Sequence, residues 1–136
     1  MELEDSAFPL LNEIRTETTL KGGFENTDYA LLVGAKPRGP GMERQDVLFD
    51  NAKIFIETGK AINDHASRDV RVAVVGNPAN TNCLITQHYC PDLNPRNFSA
   101  MMRLDHDRAL SQLSNHFNCN IDEIEKFCVW GNHSAT

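Results

Sequence analysis

The segment Val70-Arg-Val-Ala-Val-Val75 restricts the possible folds more than any other, being β-branched almost throughout before it stops on Gly76-Asn-Pro78. A strand this apolar predicts cover on both faces, the situation of a parallel sheet whose crossover helices supply that cover. A second such run, Asp28-Tyr-Ala-Leu-Leu-Val-Gly34, closes on a loop rich in glycine and proline. Between the two, residues 43–66 hold no proline and only Gly59. They carry Val47, Leu48, Ile54, Phe55, Ala61 and Ile62 at helical intervals, which predicts one long helix. Further on, Ala79 to about Tyr89 reads as a short helix ended by Pro91, and Phe98-Ser-Ala-Met101 as a third strand. Leu104 to Phe117 reads as a helix with Leu110, Leu113 and Phe117 on one face, and Lys126-Phe-Cys-Val-Trp130 as a last strand. Strands alternating with helices predict an α/β fold with right-handed crossovers. The first strand begins only near residue 28 and the last ends six residues before Thr136, so the expectation is part of an open sheet.

Charge narrows the function. The net charge of −6 comes from 13 basic and 19 acidic residues, with the basic ones spread along the chain, whereas nucleic-acid binding needs them clustered. No apolar run approaches the roughly 18 residues of a membrane span. The opening Met-Glu-Leu-Glu-Asp places acids where a secretory signal carries bases, so a cytoplasmic protein is expected. Cys83, Cys90, Cys119 and Cys128 form no C-x-x-C pair and lie in or near apolar segments, as reduced buried thiols do. Neither His116 with Cys119 nor His88 with Cys90 completes a zinc set, so no metal is expected.

In parallel α/β sheets ligands collect beyond the carboxyl ends of the strands. Three polar clusters follow strands here: Gly34 to Arg44, Gly76 to Asn80, and Gly131 to Ser134. In the first, Arg38 and Arg44 read either as part of a solvated loop or as guanidinium groups shaped for bidentate contact with a carboxylate. Asp105 and Arg108, three residues apart on one helix face, read either as a surface ion pair or as a functional pair. His133 reads as a loop residue or as an acid–base group. Taken together, a histidine, an aspartate to orient it and several arginines suit the chemistry of 2-hydroxy acids.

These same residues lie in longer strings. MELED…FPLL, LLVGAKPRGPGMER, VAVVGNPANTNC, RLDHDRALSQL and VWGNHS resemble the cytosolic-type NAD-dependent malate dehydrogenases of the lactate/malate dehydrogenase superfamily, in unbroken order along nearly the whole chain. The resemblance implies a partial Rossmann-type sheet, NAD as cofactor, and interconversion of malate and oxaloacetate in the citric acid cycle. It implies His133 as the proton acceptor and donor at the substrate hydroxyl, with Asp105 on its other ring nitrogen. It implies Arg108 on the carboxylate next to the reacting carbon, Arg38 on the distal carboxylate and Arg44 nearby. Asn77 would touch substrate and cofactor, Val75 and Gly76 would lend backbone to the nicotinamide side, and Asn51 would be a further NAD contact. Where relatives usually carry glutamine seven positions after that asparagine, this chain has Thr58. Arg38 separates this pattern from lactate dehydrogenase, because a second carboxylate needs a positive partner and a methyl group does not.

The resemblance divides the chain into residues 1–102, the later part of the NAD-binding domain, and 103–136, the start of the substrate domain. It aligns Met1 after the family's G-x-G-x-x-G pyrophosphate turn and ends the chain three residues past His133. The expectation is therefore a fragment, inactive by itself, of an enzyme that is a homodimer at full length. The alternatives are a non-catalytic shortened product that at most associates with a full-length subunit, and an incomplete sequence.

Overall fold

The computed structural model describes residues 2–37, 39, 41 and 44–130, and of residues 44–46 the backbone alone. Two short helices, α1 (Glu2–Asp5) and α2 (Leu20–Phe24), precede β1 (Tyr29–Leu32) and the long α3 (Arg44–His65). Then come β2 (Arg71–Val74), α4 (Ala79–His88), a 3₁₀ turn at Pro95–Asn97, β3 (Phe98–Ala100), α5 (Arg103–Phe117) and a 3₁₀ turn at Ile121–Glu123. The strands form one parallel sheet in the order β1-β2-β3, with Tyr29 opposite Arg71 and Val72 opposite Phe98. All three carboxyl ends therefore point the same way.

Local chemistry explains the boundaries. Thr19 caps α2 by accepting a hydrogen bond from the Gly22 amide at 3.1 Å, and Asn118 ends α5 in the left-handed region at φ 51°. The core forms on one sheet face, where Ala30, Leu32, Val72 and Val74 meet Phe55 and Ile62 of α3, joined by Val70, Cys90 and Leu93. The Asn63 side chain staples the end of α3 to the loop after α4, accepting from the Asp92 amide at 3.1 Å and donating to its carboxylate at 2.9 Å. The Cys90 thiol donates to the Gly59 carbonyl at 3.1 Å, and burial pushes its pKa up to about 11.

Gly59 is where α3 and α4 come closest. A Cβ built there would lie 2.8 Å from the Thr86 carbonyl oxygen and 3.1 Å from Tyr89 Cβ, so the helices must part to admit it. Gly59→Ala is expected to lower stability by about 1–3 kcal/mol through overpacking, even though alanine in a free helix gains about 1 kcal/mol over glycine. Thermal unfolding of the purified chain checks this; an unchanged or raised Tm would mean that the two helices are not in van der Waals contact at this point.

Three sequence expectations need correction. Neither β1 nor β2 is covered on both faces: Tyr29 and Leu31 are 78% and 71% exposed and Arg71 is exposed beside them, because nothing among the described residues packs against that side of the sheet. Residues 126–130 do not form a strand. Lys126 turns the chain at φ 56°, and the segment beyond it has no neighbour to pair with among the described residues. The four cysteines are unpaired, but only Cys90 is buried; Cys128 is exposed on that unpaired segment.

Candidate functional site

The sheet brings two loops together at its carboxyl end. After β2 the chain stays locked to β1, since the Val75 and Gly76 amides both donate to the Leu32 carbonyl, at 2.9 and 3.0 Å. A Cβ on Gly76 would lie 3.0 Å from Ala35 Cβ, 3.0 Å from the Gly34 oxygen and 3.2 Å from the Val33 oxygen. Glycine thus lets the loop after β1 rest closely on the loop after β2, where any side chain would push its neighbours back by a few tenths of an ångström. Asn77 follows, exposed, with a cis bond to Pro78, and α4 starts at Ala79.

Each crossover helix reaches back to its own loop with a fully buried asparagine. On α3, Asn51 Oδ1 accepts from the Lys36 amide at 2.7 Å and Nδ2 donates to the Lys36 carbonyl at 3.2 Å. On α4, Asn82 Nδ2 donates to the Gly76 carbonyl at 2.9 Å, while Asn82 Oδ1 has no partner among the described residues. The neighbouring Asp50 pairs with the Lys36 ammonium, which lowers the Asp50 carboxyl pKa chiefly through their hydrogen bond. The sequence reading missed both anchors at Lys36 and Gly76. A signal for Asn82 was present in the polar first turn Ala79-Asn-Thr-Asn82, which the helix buries in part.

At the third strand end, the Met101 amide donates to the Val74 carbonyl at 2.9 Å and α5 begins two residues later. Asp105 lies in the first turn of α5, with Arg108 Nη1 3.8 Å from its Oδ1. That is longer than a hydrogen bond, and Arg108 is 70% exposed, so its donors are open to an incoming carboxylate. The structure thus joins Val75 and Gly76 directly to the end of β1 and the loop after it, with Asn77 next in the chain, and places Asp105 at the same end of the sheet. Arg38 and His133 lie outside the described residues; Arg44 is the first residue of α3, its side chain likewise outside them.

The β1 and β2 ends present backbone and small side chains, Gly34, Ala35 and Gly76, a lining whose chemistry suits the flat, uncharged amide face of a nicotinamide. The sequence holds no G-x-G-x-x-G turn to receive the pyrophosphate, so the residues present fit that end alone.

Three parallel strands in an open sheet joined by the crossover helices α3 and α4 define an α/β protein of the Rossmann class. Residues 1–99 match the family model of the lactate/malate dehydrogenase NAD-binding domain. Over 98% of its length the chain is 54% identical to a malate dehydrogenase from Naegleria fowleri, with a TM-score of 0.92. It is 39% identical to a lactate dehydrogenase from Trichomonas vaginalis, with a TM-score of 0.87 to that enzyme in complex with NADH and oxamate. The chain belongs to the lactate/malate dehydrogenase family, whose cofactor is NAD. It spans 41% of the length of the Naegleria enzyme and 40% of the Trichomonas one. No helix among the described residues is long and apolar enough to cross a membrane.

Proposed function

We propose that this chain supplies the nicotinamide shelf and the substrate-reading residues of an NAD-dependent malate dehydrogenase, which interconverts malate and oxaloacetate. The observation that carries the reading is the seating of residues 33–35 on Gly76, which sets the start of the loop after β1 against the end of β2. The higher identity to a malate dehydrogenase than to a lactate dehydrogenase supports the dicarboxylate over the monocarboxylate.

Bound NAD supplies the hydride acceptor. In this reading His133 removes the hydroxyl proton as the C2 hydrogen departs, since a carbonyl forms only if both leave. Asp105 holds the other ring nitrogen and stabilises the imidazolium. Arg108 takes the carboxylate beside C2, Arg38 the distal one with Arg44 near it, and Asn77 orients the substrate oxygen against the ring. Residues 103–136 form the start of the substrate domain, and the complete enzyme is a homodimer.

The test is a chimaera in which this chain replaces the matching 41% of the Naegleria enzyme. It should oxidise NADH with oxaloacetate at a kcat/KM about 100-fold or more above that with pyruvate, while the purified chain alone shows no such rate. A chimaera preferring pyruvate would replace the malate reading with a lactate one. Turnover by the chain alone within about tenfold of the chimaera would show that pyrophosphate binding is dispensable.

A further inference from the structure

Gly76 is held on three sides. Its amide donates to the Leu32 carbonyl at 3.0 Å, residues 33–35 fill the space where a side chain would stand, and its carbonyl accepts from Asn82 Nδ2 at 2.9 Å. The last of these comes from a side chain with no exposed surface, six positions further along the chain. Asn82 is itself firmly seated on α4: its backbone amide donates to the Pro78 carbonyl at 2.9 Å, and the buried Thr86 hydroxyl donates to its carbonyl at 2.8 Å. The other half of its side-chain amide, Oδ1, is buried without a partner among the described residues. An unpaired buried acceptor carries a cost that a leucine of similar volume would avoid. What the asparagine adds beyond packing is the pairing, and so the direction, of one carbonyl.

That carbonyl belongs to the peptide unit that leads into Asn77. A peptide unit is planar, so the Cα, carbon and oxygen of Gly76 lie in one plane with the nitrogen, hydrogen and Cα of Asn77. Holding the oxygen therefore holds the start of Asn77. Asn77 is exposed and its side chain makes no hydrogen bond among the described residues, so its placement comes from the backbone on either side of it. Asn82 grips both sides: its side chain holds Gly76, the residue before Asn77, and its backbone amide holds Pro78, the residue after.

We propose that Asn82 is a positioning residue for Asn77: by gripping the residues on either side of it, Asn82 sets where the Asn77 amide meets the reacting carbonyl of the substrate. The role of Asn77 at that carbonyl rests on the reading given above. Oxaloacetate and pyruvate share the carbonyl, so the effect of Asn82 falls on both acids alike, and its test does not depend on which of them is preferred.

In the chimaera, Asn82→Leu should lower kcat/KM about 10- to 100-fold for oxaloacetate and for pyruvate, the scale of a misplacement near 1 Å. Asn77→Ala should lower it too, and the double variant should match Asn77→Ala within about threefold, because Asn82 acts through Asn77. A side chain needed only for packing would instead add its loss to that of Asn77→Ala. Where Asn82→Leu does not fold, Asn82→Ala, which leaves room for a water on the Gly76 carbonyl, takes its place in the cycle with a smaller loss. In the purified chain, hydrogen exchange followed by NMR should show the Asn82 side-chain amide protons exchanging at least about tenfold more slowly than those of the exposed Asn80. Additive losses in the cycle, an Asn82→Leu variant within about twofold of wild type, or Asn82 protons that exchange as fast as those of Asn80 would each overturn the proposal. Wild-type activity in Asn77→Ala would overturn it together with the role of Asn77. A chimaera that reduces pyruvate and ignores oxaloacetate would sink the malate reading alone, and the cycle run on pyruvate would still decide the role of Asn82.

Discussion

His133→Gln in the chimaera is expected to lower kcat for oxaloacetate reduction about 10²- to 10⁴-fold, the contribution of a positioned acid–base group, with NADH KM within about twofold of wild type. The amide can still hydrogen-bond to the substrate oxygen, but it cannot deliver a proton to it. Reduction of a ketone at C2 without that proton would leave an alkoxide beside two carboxylates, which raises the barrier. Wild-type kcat should rise and fall with the protonation state of one group, and the variant should lose that dependence. A loss below about threefold, or a loss confined to NADH KM, would remove His133 from proton transfer.

Arg38→Gln is expected to act on a different quantity. A charge-assisted hydrogen bond to a carboxylate contributes about 1.5–3 kcal/mol, so oxaloacetate kcat/KM should fall about 10- to 100-fold. Pyruvate, with a methyl group where oxaloacetate has its second carboxylate, should be reduced as well as before or better, and the ratio of the two is the measurement. Equal losses for both substrates would mean that Arg38 supports the loop or the cofactor and does not read the distal group.

These expectations rest on parts of the chain that differ in how plainly the sequence displays them. The helix read over residues 43–66 is found at Arg44–His65, and the strand read at 70–75 is found at Arg71–Val74. Both follow from periodicity, which is a local property. The open face of β1 is not local: Leu31 is as apolar as Leu32, and what distinguishes them is whether another element lies across that side. The same holds for residues 126–130, whose β-branched and aromatic side chains favour a strand that only a partner can complete. The turn Val75-Gly76-Asn77 was legible because a β-branched run followed by glycine and proline marks where a parallel strand ends. The hydrogen bonds of Asn51 were not, because nothing in its spacing indicates that its amide returns to Lys36. Asn82 shows the same limit, since its grip on Gly76 depends on the angle at which α4 leaves the turn.

The most direct measurement is a crystal structure of the chimaera with NADH and an unreactive dicarboxylate. The predicted result is one pocket in which His133 faces the C2 oxygen, and Arg108 and Arg38 each lie about 2.7–3.2 Å from a different carboxylate of the ligand. Guanidinium and imidazole groups in separate regions of solvent, with the diacid bound elsewhere or not at all, would contradict it.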